Sequence, residues 1–568
     1  MASFVYFLLL FFVFAAAAFW HDSRFEPART RIAPDYGAEK PVILGGEILE
    51  GSAIGEGETL KLPLPLLVRH VDPSIWFEEE SSSVIISTET KVVRLVSEQL
   101  TAWVNDRPFE LRFPAEIVDG TVYVPVAPLA ELYGLHVEEA PETGFVILRL
   151  PGETWTLAAP KEPEDGADEG APSAAVRVQP ALRAPLVDEI RPGEHAVVYG
   201  ETEGWYWVRT ERGLFGYADK RDLVYAGTAR YDPPDPAEGE RFVAPRRMGE
   251  RVFLVWEQVY SRNPNTAAIG PMPGLNVVSP TWFHLLDAEG TLENRADAAY
   301  VEWAHGRGYQ VWALFSNSFD PDLTAEALST HDRRMNMARQ LLGYAQLYKL
   351  DGINVDFENV YVKDGPLLTQ FMRELTPLLH EAGLTVSIDV TFAGGSATWS
   401  QFLDRKALGE IVDYMMVMAY DEHWASSPVA GSVASLPWVE QGVRRIVENI
   451  GVPAKKVVLG VPFYTRIWTE KTENGKTSVS SRAVGMNAVA SLLRDRKLTP
   501  VFDEAAGQHY VEYEEGGARH RIWIEDEMSV KARAELVNKL GLAGIAAWSR
   551  NFASESIWTT IDETLNGP

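Results

Sequence analysis

The chain has no cysteine in its 568 residues. That absence removes disulfides, thiol nucleophiles and cysteine-held metals in one step. Positive charge is also scarce: 52 Lys and Arg stand against 80 Asp and Glu, a formal net charge of −28. Such a surface repels phosphates and argues against a nucleic-acid partner. A neutral glycan feels little of that long-range field. No charge precedes the apolar run from Phe4 to Trp20, so a secretory signal would lack its basic leading segment, although Ala16 to Ala18 could supply a cleavage site. The same run is at the short limit for a membrane span, about 17 residues. Residues 1–20 are read as a signal peptide or a single N-terminal membrane anchor, with the anchor favoured. Either one exports the rest of the chain.

The length calls for several cores rather than one. Residues 21–82 are rich in Pro, Gly and Glu and are expected to form an extended lead-in. Residues 83–150 carry short strand patterns and one helix pattern, a small α+β module. An acidic linker, "PKEPEDGADEGAPSAA", covers 160–175; it has too little apolar bulk to fold. Over 176–226, strands alternate with Gly turns, which predicts a compact all-β unit. A second Pro-rich linker, "YDPPDPAEGERFVAP", follows.

Residues 246–568 alternate eight strand-like runs with amphipathic segments. Near-continuous apolar strands fit a parallel sheet covered on both faces, and the count fits a (β/α)8 TIM barrel. An α+β insertion with its own β-ribbon is expected at about 469–527. The fold class is therefore α/β, a barrel preceded by a small α+β domain and a small all-β barrel.

Within the barrel lies "LDGINVDFENV", Leu350 to Val360. Its apolar members Ile353, Val355 and Phe357 alternate with Asn354, Asp356 and Glu358. Successive strand side chains point to opposite faces, so the three polar residues share one face. A half-exposed strand with solvated carboxylates would show the same alternation. The barrel context decides between them, because chemistry in this fold sits at the C-terminal ends of strands. Glu358, Asp421 and Trp548 fall near the ends of strands four, six and eight. "DEH", Asp421 to His423, has no matching His spacing elsewhere, so no metal site and no cofactor are expected.

"DGINVDFE" resembles the DGxDxDxE signature of family 18 glycoside hydrolases. "MAYD" (Met418 to Asp421) is similar to that family's strand-six MxYD, Trp548 to its strand-eight tryptophan, and "GVPFYTRIW" to its strand seven. The Asn-containing form is similar to the spore-germination and cortex-lytic branch. The resemblance implies Glu358 as general acid and no carboxylate nucleophile: the substrate's 2-acetamido oxygen attacks the anomeric carbon. It implies that Asp356 stabilises the resulting positive charge and raises the pKa of Glu358. Tyr420 would hold the acetamido carbonyl, while Asp421, Trp548 and Met418 line the subsite. Trp282 and Tyr464 are further sugar-stacking candidates, although barrel tryptophans such as Trp312 and Trp468 are about as often core.

Asn354 departs from the family pattern, which has an aspartate there. An amide in that place is expected to donate to Asp356 and to let it ionise more easily. Asp351 is assigned a structural role.

The two small units resemble the copper amine oxidase N-terminal module, without its copper chemistry, and a bacterial SH3-type barrel. In the latter, Trp205, Trp207 and Tyr217 are read as core. Together these features imply an exported, cell-wall-associated monomer of Gram-positive type. Its partner would be an N-acetylated glycan, peptidoglycan or chitin-like. A non-catalytic glycan-binding or structural wall protein on the same barrel is the alternative.

Overall fold

The computed structural model describes residues 27–140, 142–161, 173–233 and 251–567. The expected anchor over 1–20 and residues 162–172 and 234–245 of the two linkers lie outside the described residues, while the ends of the acidic linker, Pro160 and Ala174–Ala175, belong to strands.

Eight strands form the C-terminal barrel: β1 (Val252–Glu257), β2 (Val277–Leu285), β3 (Gln310–Ser316), β4 (Gly352–Asp356), β5 (Thr385–Val390), β6 (Tyr414–Met418), β7 (Val457–Pro462) and β8 (Gly544–Trp548). They pair in parallel in chain order. β8 closes on β1, Phe253 opposite Ile545. Alternation along each strand divides the apolar residues between two cores. Ile353, Val355 and Phe357 face the surrounding helices, whereas Trp312, Leu314, Tyr414 and Met416 fill the barrel interior.

At the barrel base Trp312 stacks on Tyr414 with ring centroids 5.4 Å apart. A Cβ on Gly352 would stand 2.8 Å from the Trp312 ring and 2.7 Å from the Thr385 carbonyl oxygen. Glycine at the start of β4 therefore makes room for that tryptophan. Asp351, just before it, accepts from the Val311 N–H and from His305 Nε2, both at 2.8 Å. This is the base of the barrel, in keeping with a structural role.

The insertion starts earlier than the pattern suggests. β7 ends at Pro462, and Tyr464 already opens a separate five-stranded antiparallel sheet. That sheet runs through the hairpin Tyr464–Glu473 and Lys476–Gly485 to Ala518–Ile524. "GVPFYTRIW" is thus one barrel strand and the start of another sheet.

The lead-in expectation for 21–82 fails from residue 41 onward. Strand Pro41–Leu44 pairs in parallel with Val146–Arg149, Val42 opposite Val146, and Lys61–Pro63 pairs with Thr121–Pro125. Val42, Leu62, Leu66 and Leu67 then share one core with Val84, Leu95 and Val146. Gly45 and Gly46 form a turn, but Pro41 and Pro63 lie within strands, and pairing partners distant in sequence, Val146 and Tyr123 among them, order this stretch. The all-β unit is also longer than 176–226. Its seven strands run from Thr154–Pro160 to Leu223–Arg230, which pair with each other. Trp205 is buried there, while Trp207 donates to the Gly46 carbonyl and joins the two small units.

The first module is fixed to the barrel. Glu78 accepts from the main-chain N–H of His331, at the start of helix His331–Tyr348, and from Arg334. Arg334 in turn makes a two-point pair with Glu374 of helix Gly365–Glu381. Arg94–Asp332 and Arg339–Asp106 extend this contact.

Candidate active site

β4 delivers the polar face as the alternation requires. Asn354 and Asp356 point into the barrel, 0% and 5% exposed, and Glu358 stands two residues beyond the last ladder position at the mouth. Burial raises the Glu358 carboxyl well above its ordinary range, with the charges of Asp356 and Asp421 adding to the effect. A carboxyl kept neutral in this way can donate a proton at neutral pH.

Asn354 does not serve Asp356. Its Oδ1 accepts from Trp256 Nε1 at 2.9 Å and from Ser279 Oγ at 3.2 Å. Its Nδ2 donates to Asp389 Oδ1 at 2.8 Å. Asp389, on β5, is 2% exposed. Burial raises both Asp356 and Asp389 well above the ordinary range. The charge of Asp389 lifts Asp356 further, while the Asn354 hydrogen bond partly offsets the rise at Asp389. The expectation that Asp356 ionises more easily is thereby overturned. The amide replaces a carboxylate on β4, but β5 supplies another.

Asp356 Oδ1 is buried with no hydrogen-bond partner among the described residues. Such an oxygen is costly to leave unpaired and marks a place where a donor can be received.

Tyr420 follows β6, and burial first, then Asp389 and Asp356, keep its hydroxyl in the protonated, donating form. Its ring meets Tyr464 edge-on at 6.4 Å. Tyr464 donates its hydroxyl to Asp421 Oδ1 at 2.5 Å, and Arg466 stands 3.6 Å from the same oxygen. Asp421 lies three residues past the end of β6, in the left-handed backbone region at φ 60°. Trp548 ends β8 and lies 6.0 Å from Trp256, half-buried at the mouth. Met418 belongs to the inner wall at the end of β6 and is mostly buried.

Trp282 is a correction. It is fully buried in the outer core, donates to Asn263 Oδ1 at 2.6 Å and packs edge-on against Tyr300. Val277 and Ser279 face the barrel interior and Val278 the outer core, so alternation along β2 turns Trp282 toward the helices, where it cannot stack on a sugar. Trp312 and Trp468 are fully buried as well. His423 of the "DEH" triplet hydrogen-bonds the Ser432 carbonyl through Nδ1.

Sequence reasoning missed two residues. Asp389 obeys the same alternation in "VSIDV" that singled out β4. Asn317, after β3, is fully buried: it accepts the Glu358 N–H at 3.0 Å and donates to the Glu358 carbonyl at 2.7 Å. No local pattern marks it. Exposed aromatics Phe319, Trp399 and Trp424 stand on the loops after β3, β5 and β6.

A closed (β/α)8 barrel with buried carboxyls and a protonated tyrosine gathered at its C-terminal mouth defines a glycosidase-type barrel. Residues 319–553 match the model described as Glycosyl hydrolases family 18, and residues 44–148 the copper amine oxidase N-terminal domain. The barrel is a family 18 glycosyl hydrolase domain.

Among curated relatives, the chain is 27% identical over 299 residues to the "Uncharacterized glycosylase YvbX" of Bacillus subtilis, covering 50% of this chain and 84% of that protein. It is 26% identical over 259 residues to the "Cortical fragment-lytic enzyme" of the same organism, covering 44% of this chain and 58% of that enzyme. The spore cortex-lytic enzyme SleL of Bacillus megaterium QM B1551 superposes with a TM-score of 0.50 at 18% identity, over 61% of this chain and 78% of that structure. That last likeness concerns the fold.

Proposed function

We propose that this protein is an exported glycosidase that cleaves β-1,4 bonds at N-acetylglucosamine in peptidoglycan, with retention, by substrate-assisted catalysis. One observation carries the reading: a half-buried Glu358 at the barrel mouth, its carboxyl raised well above the ordinary range, lies on the same face as Asp356, whose Oδ1 has no partner among the described residues. Glu358 gives its proton to the glycosidic oxygen as that bond breaks. The acetamido oxygen of the same sugar attacks the anomeric carbon and closes a ring. Asp356 accepts the acetamido N–H, and its negative charge offsets the positive charge of the ring. Tyr420 donates to the acetamido oxygen and holds it beneath the sugar. Water then opens the ring from the face the leaving group vacated, giving its proton to the Glu358 carboxylate. Two inversions leave the anomeric configuration unchanged.

Likeness to a cortical fragment-lytic enzyme supports peptidoglycan over chitin as the substrate. The exposed Phe319, Trp399 and Trp424 suit sugar faces along the cleft. Export rests on the apolar run Phe4 to Trp20; among the described residues no helix is long and apolar enough to cross a membrane. The all-β unit, read as SH3-like, and the first module serve as wall-facing spacers of a monomeric enzyme.

The test is digestion of defined peptidoglycan fragments and chito-oligosaccharides with mass analysis of the products. Wall fragments ending in reducing N-acetylglucosamine are expected. Products from chito-oligosaccharides alone would move the substrate to chitin. No product from either would leave a glycan-binding protein.

A further inference from the structure

We propose that Asp389 is the positioning residue with which Asp356 shares a proton, so that the carboxylate missing from β4 at Asn354 is supplied from β5. The inference rests on the glycosidase reading of the same site.

Register places the two acids side by side. Asn354 stands opposite Ser387 and Val355 opposite Ile388, so the next pair in the parallel ladder is Asp356 and Asp389. Both point inward, on strands about 4.8 Å apart. The network beneath them fixes which way the amide of Asn354 faces. Trp256 Nε1 can only donate, so the Asn354 atom it meets is the oxygen, and the NH2 group must face Asp389. That donated hydrogen bond favours charge on Asp389. Asp356 has no comparable donor at Oδ1. One proton between the two therefore rests on Asp356.

When an acetamide N–H reaches Asp356 Oδ1 and positive charge grows on the sugar, the proton passes from the Asp356 carboxyl to the Asp389 carboxylate. No bond to carbon changes and no further reactant is needed. Asp356 becomes the anion the intermediate requires, and the total charge of the pair stays constant, which spares a buried site from ionising twice. The titratable groups that face the pair are Glu358, just beyond β4, and Tyr420, beyond β6; Asp421, Tyr464 and Arg466 form a further shell, Asp421 acting on Glu358 and Tyr464 on Tyr420.

The Asp389→Asn variant keeps an oxygen for the Asn354 amide and removes only the proton acceptor. Its kcat should fall by at least about tenfold, the worth of one pKa unit, with KM little changed. The acid limb of its pH profile should move to lower pH, because one of the two causes raising Asp356 is gone. The double variant Asn354→Asp/Asp389→Asn, which returns the carboxylate to β4, should recover most of the loss. A wild-type kcat and pH profile in Asp389→Asn, with glycan cleavage intact in the wild type, would overturn the inference and leave the proposed function standing.

A second readout needs no glycan. In a Glu358→Gln background, infrared titration of the buried protonated carboxyl band should shift to lower pH when Asp389→Asn is added. An unchanged titration overturns the sharing even if the wild-type protein cleaves nothing.

Discussion

Asn317 holds both main-chain polar groups of Glu358, accepting its N–H at 3.0 Å and donating to its carbonyl at 2.7 Å. The last ladder partners of β3 and β4 are Ser316 and Asp356. Beyond them an amide side chain continues the hydrogen bonding that the strands no longer supply. Its own NH2 is steadied by Thr324 Oγ1 at 2.8 Å. Glu358 is thus fixed through its backbone, which leaves its carboxyl free to face the cleft.

Asn317→Ala would leave two part-buried main-chain groups of Glu358 without that partner. Chemical denaturation should show a loss of about 1–3 kcal/mol. Steady-state kinetics should show kcat falling more than KM rises, because a misplaced acid harms the transition state before it harms binding. Full kcat in the variant would remove Asn317 from the positioning of the acid.

The raised acids of the site should cost stability. A carboxyl whose folded pKa lies above its unfolded value is comfortable at low pH and penalised once pH rises past the unfolded value. Glu358 and Asp356 are of that kind. Glu358→Gln should therefore lower turnover by a factor on the order of 10² to 10⁴ and yet raise Tm at neutral pH. At a pH below about 4 the gain in Tm should disappear. A lower Tm at neutral pH would contradict the assignment of an acid whose pKa its surroundings raise.

Glu374 behaves in the opposite sense. Burial alone would raise its carboxyl, but Arg334 and His331 overcome this and lower it from 4.5 to about 2. A depressed acid contributes stability above its unfolded pKa and loses it as pH falls through the folded one. Between about pH 4.5 and pH 2, wild-type Tm should fall more steeply than that of Glu374→Gln, which starts lower at neutral pH. Parallel curves would show that the Arg334 pair contributes no pH-dependent stability where the first module meets the barrel.

The barrel and the polar face of β4 were legible because alternation is local and the strands are short and apolar. What failed depended on partners distant in sequence. Pro41–Leu44 reads as lead-in until Val146 is placed beside it. Trp282 reads as a candidate for the cleft until Ser279, bonded to the inward Asn354, shows which face of β2 is the inner one. Asn354 reads as a lost carboxylate because the strand that compensates for it lies 35 residues on, at Asp389. Asp389 itself was within reach, since "VSIDV" places Ser387 and Asp389 on one face. Only the ladder register could show that this face meets Asp356.

Asp356→Asn separates grip from charge. The amide can still meet an acetamide but cannot offset positive charge on the sugar. Substrate binding, measured by calorimetry on an inactive Glu358→Gln background, should change little, while turnover in the single variant should fall by a factor on the order of 10² or more. Equal losses in both would make Asp356 a simple binding residue.

In the proposed mechanism the substrate's own acetamide is the nucleophile. Proton NMR during digestion of a soluble N-acetylated glycan oligomer reads the first-formed anomer at the new reducing end before mutarotation scrambles it. The β anomer is expected first, with no cleavage of the matching oligomer that carries a 2-hydroxyl in place of the acetamide. The α anomer first, or equal cleavage of the 2-hydroxyl oligomer, would contradict that mechanism.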